Sequence, residues 1–335
     1  MKSLRKEKEP KQPVKAARAA RPGKFDINRF RKWLLGSKDQ QGAGKVAVIY
    51  LLLICIGFVY LYPVLYMISK SLMARADLLD SSISWIPSTL YVKNYIDAFT
   101  SMNFVDTFWK SVVVAGAPTL LNMIVCAIVG YGFARYEFPL KKMFMGILIV
   151  SFIIPPQITM MPTYLLYNDL GILDSLVAFL LPAALGQGLK APLYILIYYQ
   201  FFKQIPKVLI EAAKIDGCGH FKSFVKIAIP SAAPGILVVF LFSLVWYWNE
   251  AYLTQLYVCG VFGDGFWNTL VVALKGFNDS YTATGASVTG ETMGSLNEGI
   301  KMAATMLSIL PVLLLYFVLQ KQFVESVDKT GITGE

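Results

Sequence analysis

The residues that could support chemistry are few and widely spaced in this chain of 335 residues. His220 is the single histidine, and no second histidine or cysteine stands near it at metal-ligand spacing. The four cysteines form no C-x-x-C pair, which argues against a zinc site and a disulfide framework. The run Gly42-Ala43-Gly44-Lys45 ends like a phosphate-binding loop, but Asp39 and Val46 stand where that loop needs glycine and serine or threonine. We therefore expect no metal, no bound cofactor and no covalent catalysis, so the chain is not expected to be an enzyme.

The composition is typical of a membrane protein. Apolar residues make up 56% of the chain and charged residues 16%, against about 45–50% and about 25% in soluble domains. A helix needs about 20 mainly apolar residues to cross a bilayer. Five such stretches and a sixth, interrupted by Gly186-Gln187-Gly188 and Lys190, predict spans at about 46–69, 111–134, 143–168, 175–202, 231–254 and 302–320. The predicted fold class is all-α, a polytopic membrane protein with six transmembrane helices.

Positive charge is concentrated at the N-terminus. The first 45 residues hold 14 basic and 4 acidic side chains, whereas the remaining 290 hold 17 of each sign. A cytoplasmic N-terminus places 24 of the 31 basic residues in inner segments, in agreement with the positive-inside rule. We therefore expect both termini to be cytoplasmic, residues 1–45 to form a basic tail that binds no nucleic acid, and residues 46–335 to form the membrane domain. Residues 25–35 are typical of either an interfacial helix or a solvated linker.

The inner loop after the fourth span contains a short amphipathic segment. Its sequence over residues 206–217 is PKVLIEAAKIDG, with Pro206 suited to a helix start and Gly217 to a helix stop. Four apolar side chains share one face of this helix: Val208, Leu209, Ala212 and Ile215. A face of this size needs a partner groove or the membrane interface to cover it. From the spacing alone, a surface helix with a glycine cap is an equally good interpretation.

The same segment resembles the EAA signature of the permease subunits of bacterial ABC importers. Glu211-Ala212-Ala213 and Gly217 are followed by Ile227-Ala228-Ile229-Pro230, in which Ile229 replaces the usual leucine. Further motifs resemble the sugar-importing permeases of the maltose-transporter inner-membrane-subunit type: Trp85-Ile86-Pro87-Ser88, Asn94-Tyr95, Tyr131-Gly132-Phe133-Ala134-Arg135, Pro155-Pro156, Trp248-Asn249-Glu250 and Gly331-Ile332-Thr333-Gly334. The resemblance covers about residues 46–335, except an enlarged outer loop at 280–299.

The resemblance implies one subunit of a larger machine in the bacterial plasma membrane. It implies a second permease subunit as heterodimer partner, two cytoplasmic ATP-binding subunits that use ATP and Mg, and an extracellular solute-binding protein. Carried over by position, the coupling helix at 206–217 would dock on an ATPase through Glu211, Ala212, Ala213, Asp216 and Gly217. The implied solute is a sugar or oligosaccharide. The alternatives are a permease for a non-sugar solute such as a polyol or glycerophosphodiester, and an ion-coupled secondary transporter.

The fifth span carries the candidate substrate pathway. Helical spacing places Ser243, Trp246, Tyr247 and Glu250 in one polar and aromatic stripe, and Asn249 stands next to it in the sequence. Aromatic faces can stack on the C–H faces of a sugar while hydroxyl and carboxylate groups bond to its hydroxyls. The alternative is an interfacial aromatic belt combined with a helix-packing face.

Overall fold

The computed structural model describes residues 36–37, 40–41, 43–260, 265–281 and 298–332. The expected interfacial helix at 25–35 and residues 282–297 of the outer loop lie outside the described residues. The described chain is helical apart from one antiparallel pair of two-residue strands, β1 (Gly36–Ser37) and β2 (Gln40–Gln41). The all-α prediction is confirmed for this part of the chain.

The chain divides into two compact units, residues 1–65 and residues 66–335. Helix α1 (Ala43–Ser71) contributes most of its length to the first unit. Its apolar side chains are exposed within that unit, with Ile54 at 70% and Tyr60 at 79%. A helix that is apolar on all sides is stable in an apolar solvent, so α1 has the surface of a membrane span.

The second unit consists of helices that differ widely in length. In chain order they are α2 (Arg75–Leu79), α3 (Lys93–Ser101), α4 (Phe104–Arg135), α5 (Lys141–Ile153), α6 (Pro156–Asp169), α7 (Val177–Ala184), α8 (Ala191–Gln204), α9 (Lys207–Ile215), α10 (His220–Ser223), a π-helix (Phe224–Ala228), α11 (Ile229–Ser231), α12 (Ala233–Asn249), α13 (Ala251–Tyr257), α14 (Leu270–Lys275) and α15 (Glu298–Ile332).

Three of the predicted spans are broken in the structure. The stretch at 143–168 forms α5 and α6, which meet at a bend of 97°. Pro155 and Pro156 cause the break, because a residue that precedes proline favours extended backbone, and Ile154 has φ −63° and ψ 122°. The stretch at 175–202 forms α7 and α8, separated where Gly186-Gln187-Gly188 predicts an interruption.

The stretch at 231–254 is broken at both ends. The segment His220–Ser231 meets α12 at a bend of 78°, and α12 ends at Asn249. By length and hydropathy, three of the described helices could cross a membrane, namely Gly44–Ser71, Phe104–Arg135 and Glu298–Gln322, or up to five segments if each bent pair is one span.

Helix α4 packs against α7, α8 and α12 in the interior of the second unit. The approach of α8 is close because Gly130 of α4 has no side chain: a Cβ atom there would lie 2.6 Å from Tyr198 Cβ. Gly235 of α12 likewise allows a close approach to α8, because a Cβ atom on Gly235 would lie 2.5 Å from the ring of Phe201. These contacts lie in the middle and towards the C-terminal end of α8, which is followed by α9 after Ile205 and Pro206.

Candidate functional site

Helix α9 is a short helix with a defined end. It begins after Pro206 and ends at Ile215, within two residues of the predicted bounds. The Cys218 N–H donates to the Ala213 carbonyl at 2.8 Å, and the Gly217 N–H donates to the Lys214 carbonyl at 3.1 Å. This is the Schellman pattern, which needs a left-handed residue after the cap. Gly217 has φ +75°, and a Cβ atom there would have no neighbour within 4 Å, so its backbone conformation alone requires glycine.

The two faces of α9 have different surroundings. Ile210 and Ala213 are buried towards the protein. The opposite face is open, with Val208 exposed by 70% and Ile215 by 87%. The remaining predicted coupling residues Glu211, Ala212, Asp216 and Gly217 are exposed as well. A cluster of exposed apolar side chains flanked by carboxylates is typical of a docking surface for another protein.

Polar contacts attach both ends of this segment to the end of α4. Arg135, the last residue of α4, donates through Nη2 to the carbonyl of Ile205, just before α9. The next residue, Tyr136, shares a hydrogen bond of 3.2 Å between its hydroxyl and Nδ1 of His220, just after the Gly217 turn. These two contacts join the segments before and after α9 to the end of α4.

Aromatic side chains pack in the interior next to these contacts, where the end of α4 meets α8 and the π-helix. Tyr131 of α4, Phe202 of α8 and Phe224 of the π-helix are in mutual ring contact, with centroids 4.9 to 6.1 Å apart. Phe202 is fully buried, and Tyr131 is nearly so. Because buried aromatic side chains in contact resist separation, α4, α8 and the π-helix move together at this end.

A second site lies where the helix is interrupted between α7 and α8. The Leu189 N–H donates to the hydroxyl of Tyr247 at 3.0 Å, and the Leu189 carbonyl accepts from Nδ2 of Asn122 at 3.2 Å. The same Asn122 amide lies 3.4 Å from Oγ of Ser243. Asn122 and Ser243 are fully buried, and Tyr247 is 2% exposed. These three side chains form a polar clamp that satisfies the backbone of the interrupted segment, as an unwound segment in an apolar interior requires.

Gly188 completes the polar clamp. A Cβ atom at this position would lie 2.8 Å from the Tyr247 hydroxyl and 3.0 Å from Oδ1 of Asn122. The clamp therefore closes only around glycine. The segment that follows ends at Lys190, which has a positive φ of 58° and begins α8.

Two adjoining cavities open beside the clamped segment. Their volumes are about 460 and 410 Å³, and both are lined by Pro156, Leu189, Lys190 and Leu253. Tyr247 lines the first, whereas Trp246 and Glu250 line the second. Nζ of Lys190 lies 4.6 Å from the centroid of the Trp246 ring. Cavities of this size, lined by aromatic and a few polar groups, are typical of small-molecule sites.

The predicted stripe on the fifth span is divided in the structure. Ser243 and Tyr247 are buried in the polar clamp, while Trp246 and Asn249 are exposed. Glu250 is no longer on the same helix: α12 ends before it, and its carboxylate accepts from the N–H groups of Tyr252 and Leu253 at the start of α13. A stripe drawn on one continuous helix is therefore incorrect, since the chain breaks at Glu250.

Several residues of these sites were not among the predicted site residues. They include Asn122, Arg135, Gly188 and Lys190. The sequence contains a signal for the last, because Lys190 is the single charged residue between Asp174 and Lys203. The contacts of Asn122 and Arg135 join positions 67 and 70 residues apart, which local spacing cannot indicate.

Residues 123–329 match the family described as binding-protein-dependent transport system inner membrane component. The chain belongs to this family, which confirms the resemblance to ABC-importer permeases and identifies it as a membrane component of a transport system. The ion-coupled alternative is not favoured, since this family works with a solute-binding protein.

Individual relatives agree with this assignment. The chain is similar to Protein LplC of Bacillus subtilis, 29% identical over 284 residues, covering 83% of this chain and 91% of LplC. It is similar to the diacetylchitobiose uptake system permease protein NgcG of Streptomyces coelicolor, 26% identical over 285 residues, covering 84% and 87%. A bacterial ABC transporter involved in the import of the acidic polysaccharide alginate has a chain with TM-score 0.67 and 21% identity, covering 83% of this chain and 95% of that one. That structural likeness shows a common fold.

Proposed function

We propose that this chain is one permease subunit of an ATP-driven importer and that α9 is the coupling helix that docks on a cytoplasmic ATPase. The observation that carries the proposal is that α9 has an exposed apolar face while the chain on either side of it is held by hydrogen bonds. Arg135 bonds to Ile205 before α9, and Tyr136 bonds to His220 after it. Glu211, Ala212, Ala213, Asp216 and Gly217 form the docking segment and its turn. A surface helix without a partner has no need for such bracing.

The mechanism is the transmission of a rigid-body movement. When the ATPases close on ATP, α9 moves with them, and the bracing carries the movement to α4 and α8. Because Tyr131, Phe202 and Phe224 are packed at the junction, the helices rotate together rather than deform. The bends next to α6 and α12 are the points at which the remaining helices can adjust.

The other parts of the importer are separate chains. Two ATP-binding subunits bind ATP and Mg and hydrolyse the nucleotide, a second permease subunit completes the pathway, and an extracellular binding protein delivers the solute. This chain itself binds no cofactor and catalyses no covalent reaction.

The proposed topology has six spans in the bacterial plasma membrane. They are α1, α4, the pair α5 and α6, the pair α7 and α8, the bent segment leading into α12, and α15. Both termini and α9 lie in the cytoplasm, an arrangement supported by the 24 of 31 basic residues that it places inside. Residues 1–45 are then a cytoplasmic tail and residues 46–335 the transport domain.

The proposed solute is a sugar or oligosaccharide. The similar protein NgcG is named for diacetylchitobiose uptake. The cavities beside Lys190 offer the aromatic and hydrogen-bonding groups that saccharides require, from Trp246, Tyr247, Gln157 and Gln187. Ser243 and Asn249 of the predicted pathway do not line these cavities, so Ser243 contributes by holding the clamp.

The test is ATP-dependent uptake of a labelled oligosaccharide by the complete complex in proteoliposomes, with ATP hydrolysis measured alongside. Ile215→Ser removes an apolar side chain that is 87% exposed on α9, and Leu79→Ser removes one that is 77% exposed on α2. We expect the first to lower binding-protein-stimulated ATP hydrolysis and uptake several-fold, and the second to leave both unchanged. Equal rates in the two variants would contradict docking through α9, and no ATP-driven uptake by the wild-type complex would contradict the proposed function.

A further inference from the structure

Lys190 forms no ion pair with an acidic residue in the part of the chain that the structure describes. The ion pairs in that part of the chain are Lys110 with Asp106 and Lys141 with Glu137. The side chain lines both cavities next to the interrupted helix. Any molecule that enters either cavity therefore meets this charge.

Glu250 is the acidic residue that lines the same cavity, but its carboxylate is already bound. Oε1 accepts from the N–H of Tyr252 at 3.1 Å and from the N–H of Leu253 at 3.0 Å. These donors form the first turn of α13, where a carboxylate is stabilised by the helix start. Glu250 is thus held at the start of α13 and forms no ion pair with Lys190 among the described residues, so the Lys190 ammonium can pair with another group.

The Lys190 ammonium is held in place without being neutralised. It lies 4.6 Å from the centroid of the Trp246 ring, and the quadrupole of an aromatic ring orients a cation without removing its charge. Its backbone has φ 58°, a conformation that costs energy in any residue with a side chain. The polar clamp fixes the neighbouring Leu189 on both its N–H and its carbonyl. A strained, fixed and charged residue beside a cavity is typical of a binding group.

The depth of Lys190 makes an unneutralised charge costly. Helix α8 has 14 residues and rises about 1.5 Å per residue, so Lys190 lies about 21 Å from the cytoplasmic end of α8. The hydrocarbon core of a bilayer is about 30 Å thick, which places Lys190 within it. Ionisable groups at such depth face a pathway and pair with a charged partner. This step rests on the proposed function and its topology.

We propose that the cavity beside Lys190 binds saccharides that carry an anionic group, a carboxylate or a phosphate, and that Lys190 pairs with that group during passage. Trp246 and Tyr252 then contact the sugar ring, since both line the same cavity. A neutral sugar would leave the Lys190 charge unpaired inside the pathway. The site therefore favours acidic sugars over neutral ones of equal size.

The test measures binding to the purified complex in nanodiscs without the binding protein. The first pair of probes is digalacturonate and its dimethyl ester, which have the same sugar rings with and without charge. The second pair is glucose 6-phosphate and glucose, which distinguishes a phosphate preference from a carboxylate preference. We expect one acidic probe to bind at least about tenfold more tightly than its neutral match, the effect of one charge-assisted contact.

The variants assign the preference to one residue. Lys190→Gln should abolish it, and Lys190→Arg should retain it. The control is Lys93→Gln, which removes an exposed lysine at the start of α3 that lines neither cavity. Equal binding of both members of each pair, absence of saturable binding, or a preference that survives Lys190→Gln would overturn the proposal. ATP-driven uptake of a neutral oligosaccharide in the same complex would then leave the proposed function intact.

Discussion

Nη2 of Arg135 lies 2.5 Å from the carbonyl oxygen of Ile205. The contact joins the last residue of α4 to the residue that follows α8, two positions before α9 begins. An unpaired carbonyl at a helix end is thereby satisfied by a charged donor, which makes the hydrogen bond stronger than a neutral one. The consequence is that α4, the central helix of the second unit, is attached to the start of the proposed coupling helix.

Removing this attachment should uncouple the complex. We expect Arg135→Ala to destabilise the contact between α4 and the chain before α9 by about 1.5–3 kcal/mol, the range for a hydrogen bond to a charged group. Stimulated ATP hydrolysis and uptake should fall as a result. Lys203→Ala is the matched control, because it removes an exposed cation from α8 whose ammonium lies over the Tyr199 ring. Coupling measured as sugar moved per ATP should fall in the first variant alone. An Arg135→Ala complex with unchanged coupling would show that the contact does not transmit movement.

The turn after α9 allows a comparison of two nearby glycines. Gly217 has φ +75° and Gly219 has φ −65°, while neither would place a Cβ atom within 4 Å of a neighbour. Gly217→Ala should cost about 1–2 kcal/mol and distort the docking segment, because a side chain disfavours the left-handed region. Gly219→Ala should be nearly neutral. Stimulated ATP hydrolysis in the assembled complex is the measurement, and equal losses in both variants would argue against a role of the left-handed turn.

Packing of α4 against α8 is tested by a second pair of glycines on one helix. A Cβ atom on Gly130 would lie 2.6 Å from Tyr198 Cβ and 3.1 Å from the Ile195 carbonyl, whereas Gly132 has open space. We expect Gly130→Ala to destabilise the protein by about 1–3 kcal/mol through overpacking. Gly132→Ala should stabilise it by about 0.5–1 kcal/mol through helix propensity. Thermal denaturation in detergent ranks the wild type and the two variants by stability. A Gly130→Ala protein as stable as the wild type would refute the close contact.

Two buried tyrosines should respond in opposite ways to loss of their hydroxyl groups. The Tyr247 hydroxyl accepts from the Leu189 N–H, while that of Tyr198 has no hydrogen-bond partner among the described residues. Tyr247→Phe leaves a buried N–H unsatisfied, so a loss of about 1–3 kcal/mol and faster hydrogen exchange at Leu189 are expected. Tyr198→Phe should be neutral or slightly stabilising. Unchanged exchange at Leu189 in Tyr247→Phe would mean that the polar clamp does not hold the interrupted segment.

Much of the fold could be predicted from local patterns. The bounds of α9, its glycine stop and the interruption near Gly186 follow from residues within a few positions of one another, so they are visible in the sequence. The break at Ile154 depends on the Pro155-Pro156 pair, which is also a local signal. The break at Glu250 has no comparable local signal, since no proline or glycine stands between residues 236 and 259.

The sequence by itself determined that this chain is a helical membrane protein and located the amphipathic segment at 206–217, because hydropathy, charge and spacing are properties of neighbouring residues. Its motifs resembled those of the family to which the chain belongs. Only the tertiary structure decided that Tyr247 and Asn122 hold the interrupted helix, that Trp246 faces Lys190, and that Arg135 reaches Ile205. The physical reason is that these contacts form where helices pack against each other, between residues 56 to 70 positions apart. Packing depends on the complementary shapes of whole helices, which a local sequence pattern does not contain.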